Sequence, residues 1–283
     1  MLVTADTADA EESTLGPRSQ LRLLDDLSVL AGPDVFADSL VYSTPAGNTG
    51  WTAFRMAPSG HVTYHHWDAA RPNLLQMDLF GRGAIDDARA LKAVRDFWQP
   101  TGLRALVITR PRPTESLRIK LLRNDLAPRE GKQIGLGPGD HLHLLVDQVG
   151  PARRSHVSPP RLDAALEALV DTLKMRGMTP VLRHDRREAD GFAYDAIVGI
   201  TTSHMSLRLR ETAEGVEICL DVFSCRKFDA ATVIAWLDEN FPAPHIRRAA
   251  LYNRFPLGIV QDVATQSLIP ILDISEEAAG ELA

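Results

Sequence analysis

Two stretches of the chain alternate apolar and polar side chains in matching order, His61-Val-Thr-Tyr-His-His-Trp67 and His204-Met-Ser-Leu-Arg-Leu-Arg210. A period of two predicts strands. Each stretch is followed by a turn and by a second strand ending Asp-apolar-Phe, over Leu75–Phe80 and Glu217–Phe223. A helix comes next, opening near an Asp suited to the N-cap, over Asp86–Trp98 and Asp229–Phe241. An edge strand then closes each series, Leu103–Thr109 and Ile246–Tyr252.

Sliding the chain by 143 positions lays residues 61–113 over 204–256 without a gap. His61 falls on His204, Asp78-Leu79-Phe80 on Asp221-Val222-Phe223, Asp86 on Asp229, Arg104 on Arg247 and Pro113 on Pro256. Identities are few, but they fall at the same places in the same series of elements, which marks an internal repeat. Upstream, the second copy predicts a strand at His143–Val149, a helix at Arg161–Arg176 ending on Gly177, and strands near Thr179–His184 and Tyr194–Ile200. That helix sets Leu162, Ala165, Leu166, Leu169, Val170 and Leu173 along one stripe. The first copy predicts a helix near Ser19–Leu30, strands near Ser39–Tyr42 and Gly50–Met56, and a weak opening strand at Leu2–Thr4.

Strands and helices that mix without strict βαβ alternation predict an α+β fold, with helices on one face of an antiparallel sheet. Two such units in tandem would form a pseudo-dimer. The expected divisions are a flexible arm over 1–17, a first repeat over 18–113, a linker over 114–140, a second repeat over 141–256 and a tail over 257–283. The linker's Gly135-Leu-Gly-Pro-Gly139 lacks the Lys-Ser/Thr of a phosphate loop and reads as a turn.

Composition narrows the class. The 283 residues are 45% hydrophobic and carry a net charge of −6, which fits a soluble protein and argues against a nucleic-acid-binding surface. No apolar run reaches the roughly 20 residues of a membrane span, and no secretory signal opens the chain. Cys219 and Cys225 give no disulfide framework, so a reduced, cytoplasmic protein is expected. His61, His65 and His66 cannot converge on one metal from a strand: residues four apart are separated by about 13 Å and neighbours point to opposite faces. No metal site is expected. Arg153-Arg154 and Arg183–Arg187 read as solvated loop and strand ends, either able to meet a carboxylate.

At His143-Leu-Leu-Val-Asp-Gln-Val-Gly150, Ser203-His-Met-Ser-Leu-Arg208 and Leu220-Asp-Val-Phe-Ser-Cys225 followed by Asp229, the sequence resembles bacterial S-adenosylmethionine decarboxylase. Order and approximate spacing agree over about residues 141–256, and more weakly over 39–113. That family opens with a His-Leu-Leu-Val-Asp strand, then carries Glu-Ser-His-x-Ser/Thr-x-His and a strand ending Asp-Val-Phe-Thr-Cys. The resemblance implies self-cleavage at Thr202–Ser203, in which the serine becomes a pyruvoyl cofactor on a new N-terminus. Its ketone then condenses with the substrate amine and accepts electrons as carbon dioxide leaves. It further implies Ser203 as nucleophile and cofactor source, His204 as its motif neighbour, Cys225 as the acid that reprotonates product, and Asp147 as an acidic position on the first strand.

Two departures matter. Thr202 replaces the family's Glu, and Arg208 stands where the family has its processing histidine. An arginine stays protonated and cannot act as a general base at neutral pH. The first copy shows the complement: His65 at the histidine position, Gly60 in place of the serine and Arg82 in place of the cysteine. One expectation is that His65 serves Ser203 across the pseudo-two-fold interface; drift, with His65 a satisfied histidine, is the other. The leading function is therefore a pyruvoyl-dependent lyase taking a small-molecule substrate, S-adenosylmethionine for polyamine (spermidine) synthesis or another amino acid. It would act as a monomer through its pseudo-dimer or as a homodimer, without nucleic-acid or membrane partners. A non-catalytic relative that binds a ligand or partner is the alternative, and a plain nucleotide-binding module has no phosphate loop behind it.

Overall fold

The computed structural model describes residues 1–7, 16–31, 35–44, 49–58, 60–68, 73–81, 83–110, 118–124, 141–151, 158–188, 191–201, 203–213, 215–242, 244–254, 257–262 and 273–278. The chain divides into two compact α+β units.

In the first unit, strands β1 (Leu2–Thr7), β2 (Ala37–Ser43), β3 (Gly50–Ala57), β4 (Gly60–Trp67), β5 (Asn73–Gly81), β6 (Gly102–Thr109) and β7 (Arg118–Asn124) accompany helices α1 (Pro17–Ala31) and α2 (Asp87–Trp98). The second unit contains β8 (Leu142–Gly150), α3 (Pro159–Thr172), β9 (Leu182–Glu188), β10 (Gly191–Ile200), β11 (Ser203–Thr212), β12 (Gly215–Ser224), α4 (Ala230–Asn240), β13 (Ile246–Arg254) and β14 (Leu257–Asp262). The last strand, β15 (Asp273–Ala278), returns to the first sheet and pairs parallel to β7; the other pairings are antiparallel. The orders are β15-β7-β6-β1-β5-β4-β3-β2 and β14-β13-β8-β12-β11-β10-β9.

Both sheets contain the same six-stranded core, with β6-β1-β5-β4-β3-β2 matching β13-β8-β12-β11-β10-β9. Register repeats as well as order. His61 pairs with Phe80 as His204 pairs with Phe223, and Gly50 pairs with Trp67 as Ala193 pairs with Arg210. Both α2 and α4 are capped by the predicted aspartates: Asp86 Oδ1 accepts from Arg89 N–H at 2.9 Å, and Asp229 Oδ1 from Ala231 N–H at 3.0 Å.

Alternation sends one set of side chains from each strand toward the helices. In the second unit Leu144, Val146, Tyr194, Ala196, Val198, Met205, Leu207, Leu220 and Val222 pack with Leu162, Leu166 and Leu169 of α3 and Val233 and Leu237 of α4. In the first unit Val3, Ala5, Val62, Tyr64, Leu75 and Met77 pack with Leu23, Leu24 and Leu27 of α1 and Leu91 and Val94 of α2. Each unit thus puts its helices on one sheet face, as the pattern predicts. Gly50 and Gly215 adopt φ of 151° and 141°, and a Cβ there would lie 1.9 Å from the His66 carbonyl oxygen and 2.1 Å from that of Gly150. Only glycine fits where two strands approach so closely.

Several expected boundaries need correction. Residues 2–7 are not an arm: β1 lies between β5 and β6 and is buried throughout, because its Val3 and Ala5 complete the apolar face. The expected linker contributes β7, and the expected tail contributes β14 and β15. For the same reason β6 and β13 are not edges, each being flanked on both sides. Helix α3 ends at Thr172 rather than near Gly177, since Lys174 takes the left-handed turn at φ 54°. Arg82, Pro113, the Gly135–Gly139 turn, Arg153-Arg154, Thr202 and Pro256 lie outside the described residues.

Candidate active site

Ile200 of β10 stands directly opposite Ser203 of β11. Ser203 is 1% exposed. Its Oγ accepts a hydrogen bond from the Cys225 backbone N–H at 3.0 Å, and the Cys225 thiol donates to the Thr201 carbonyl at 3.8 Å. Cys225 follows the last residue of β12 in a bend where Arg226 N–H donates to Ser224 Oγ at 3.1 Å, and the Asp229 cap then starts α4. A buried hydroxyl and a buried thiol therefore flank one short stretch of backbone at the end of the sheet.

The opposite sheet face is polar. Reading across strands β9, β10, β11, β12, β8 and β13, residues His184, Asp195, Arg208, Cys219, Asp147 and Arg248 stand in one lateral row. Asp195 is fully buried and lies 2.6 Å from Arg186 Nη1 and 3.4 Å from Arg208 Nη1. Asp147 is held from two sides, by Arg110 at 2.6 Å and Arg248 at 2.7 Å. Arg110, just beyond β6 in the chain, also reaches Asp221 at 2.6 Å. Burial alone would raise the Asp147 pKa, but Arg110 and then Arg248 outweigh it and hold the carboxyl below its usual value. The Cys219 thiol is pushed up to about 12, first by burial and then by the Asp147 charge, so it is an inert thiol rather than a nucleophile.

A ring cluster occupies the end of this face nearest Ser203. His204 stands 6.1 Å from His143 and 5.8 Å from Phe223, between ring centroids, and the Arg254 guanidinium lies 4.8 Å over the Phe223 ring. Burial lowers the His204 pKa to about 3; Arg254 pushes the same way and Asp221 opposes. His204 is neutral at neutral pH.

The five sequence-derived residues are thus placed unequally. Ser203 and Cys225 come together. His204 adjoins Ser203 in sequence but, by strand alternation, turns to the other face. Asp147 shares the row of Arg208, five residues and about 17 Å along the strand direction from Ser203. His65 belongs to the first unit, where its Nδ1 lies 3.1 Å from Thr52 Oγ1 and its ring 5.8 Å from Trp67. Its neighbour His66 faces the helices, stacking on Trp98 at 4.4 Å, as opposite strand faces require.

Asp195, Arg110, Arg248 and Arg254 join this face although no motif in the sequence marks them. The signal for most of them is visible in the strands, where polar residues alternate with apolar ones, as in His143 and Asp147 around Leu144 and Val146. Arg110, outside any strand, has no such signal. Among the described residues no group of three His, Cys, Asp or Glu could hold a metal ion, and no helix is long and apolar enough to cross a membrane. Neither a family model nor a curated protein matches the chain.

Proposed function

We propose that the chain is a self-processing, pyruvoyl-dependent decarboxylase with S-adenosylmethionine, or another amino acid, as substrate. The observation that carries this reading is the contact between Ser203 Oγ and Cys225 N–H, which ties the motif serine to the backbone of the motif cysteine in a buried strand start. Those residue types fit the cofactor: a serine at the processing position to furnish it and a cysteine next to it to handle a proton.

In processing, Ser203 Oγ attacks the Thr202 carbonyl carbon and its proton passes to the Ser203 nitrogen as the C–N bond breaks, leaving an ester. Loss of the Ser203 Cα proton expels the Thr202 carboxylate. Water then replaces the nitrogen, which departs as ammonia, so no oxidant is needed. The Cys225 N–H aimed at Oγ orients a lone pair of the nucleophile and leaves its hydroxyl proton free to transfer. Once formed, the pyruvoyl ketone supplies the electron sink for loss of carbon dioxide. Cys225 supports this reading as proton donor because its buried thiol already donates a hydrogen bond to the Thr201 carbonyl, beside the strand start. Asp147, with Arg110 and Arg248 on its two oxygens, acts in this reading as the anchor of the charged row rather than as a substrate ligand.

Intact mass under denaturing conditions tests the proposal. Fragments 1–202 and 203–283, the smaller with a blocked N-terminus and both absent from Ser203→Ala, are expected. A persistent full-length mass overturns it in favour of a non-catalytic relative. One observation favours that second reading: Arg208, at the family's histidine position, lies against buried Asp195 as part of an ion-pair network, a structural use of the position.

A further inference from the structure

We propose that the turn following α3 is a backbone clamp for self-cleavage, with Thr179 as its positioning residue; this rests on the processing reading above. Strand β9 pairs with β10 only as far as the Leu182–Ile197 pair. Beyond that point the outer edge of β10 is taken over by residues 176–179. Met178 N–H and Thr179 N–H donate to the Gly199 carbonyl at 2.8 and 3.3 Å, Gly177 bridges Ile200, and Thr201 N–H donates to the Arg176 carbonyl at 3.1 Å. The Thr179 hydroxyl accepts from Gly199 N–H at 2.9 Å.

The placement follows from local sequence. Lys174 takes a left-handed turn that directs the chain from α3 back toward the sheet. Pro180 disfavours helical backbone at Thr179 and carries no N–H of its own to extend the pairing. Gly199 and Ile200 are consequently fixed on both sides, by the clamp on one and by β11 on the other, through the Gly199–His204 and Ile200–Ser203 pairs. Thr201, tied to the clamp through its N–H, is also held at its carbonyl by the Cys225 thiol.

A serine that attacks the peptide preceding it needs both flanks of that peptide immobilised, because attack on a carbonyl depends on distance and direction. Strand β11 fixes the Ser203 flank and the clamp fixes the Thr201 flank. Of the clamp contacts to Gly199, the Thr179 hydroxyl is the one made by a side chain, so substitution can remove it while leaving the backbone contacts in place.

The test follows cleavage at Thr202–Ser203 by intact mass after refolding, in the wild type, Thr179→Val and Thr179→Ser. Valine keeps the branched shape without the acceptor, and serine keeps the acceptor. Thr179→Val is expected to slow cleavage about tenfold or more, and Thr179→Ser to restore it. Folded fractions of both variants are compared in the uncleavable Ser203→Ala background, and the slowing that the valine variant shows with Ser203 in place must exceed any loss of folded fraction measured there. Wild-type cleavage with an equally fast Thr179→Val overturns the clamp alone, as does a serine variant as slow as the valine one. A wild type that never cleaves overturns the processing reading and the clamp with it.

Discussion

The two units share backbone order and register, yet their helix-free faces carry different chemistry. In the second unit the row His184, Asp195, Arg208, Cys219, Asp147, Arg248 carries two carboxylates and two arginines across six strands. The corresponding row in the first unit is Val41, Thr52, His65, Gln76, Thr4, Arg104, with no carboxylate in it. Likewise Ser203 opens β11 where Gly60 opens β4. The apolar positions that face the helices are alike in both units, and these specify the fold. The other alternation is free to diverge because register and twist do not depend on it.

The largest effect separating the units is expected at the strand starts. Ser203→Ala should abolish cleavage, whereas Gly60→Ser should produce no cut in the first unit, because a serine there has Arg82 rather than a cysteine at the matching position; intact mass reads both. Next comes the row itself. Asp147→Ala leaves Arg110 and Arg248 without their shared carboxylate and should cost about 3–5 kcal/mol in denaturant unfolding. Thr4→Val at the matching position should cost only about 1 kcal/mol. Equal losses would show that the charged row is not what distinguishes the second unit.

Acidification should act on both units through their buried histidines. His66 titrates at about 4 and His204 at about 3, each lowered chiefly by burial. A depressed histidine contributes stability fully above its unfolded value near 6.5, and that contribution drains away as pH falls toward the folded value. Each histidine therefore adds a slope of about 1.4 kcal/mol per pH unit in that window, which His66→Gln or His204→Gln removes in urea titrations between pH 7 and 4.5. Asp147, also depressed, adds stability above the usual carboxylate value of about 4 that is lost only as pH falls through its lower folded value. The smallest effect is expected at His65. Bonded to Thr52 within its own unit, it should leave the cleavage rate unchanged when replaced by Gln, and a slowed rate would revive its service to Ser203.

Much of the architecture was legible from alternation. The strands around His61–Trp67 and His204–Arg210, both Asp-capped helices and the repeat offset all came from period and caps, which are local properties. The central place of β1 was not, because only Leu2–Thr4 reads as a weak strand, whereas β1 is fixed by partners far along the chain, Asn73–Asp78 and Gly102–Leu106. The ends of the repeats misled for the same reason: β7 and β15 are extensions of a sheet edge, joined by pairing between residues 118–123 and 273–278.

At the candidate site the division is similar. Ser203 and Cys225 were singled out only by the resemblance of their motifs to a decarboxylase family, and residue type alone removed Arg208 from the role of base. What the sequence by itself determined was the alternating framework and the chemical identity of its residues, since side-chain period and acid–base character travel with each residue. Only the tertiary structure decided which of them meet: that Cys225 N–H reaches Ser203 Oγ, that Arg110 closes on Asp147 and Asp221, and that Thr179 holds Gly199. These contacts join residues 20 to 111 positions apart, and their partners are chosen by strand order and register, which no local pattern encodes.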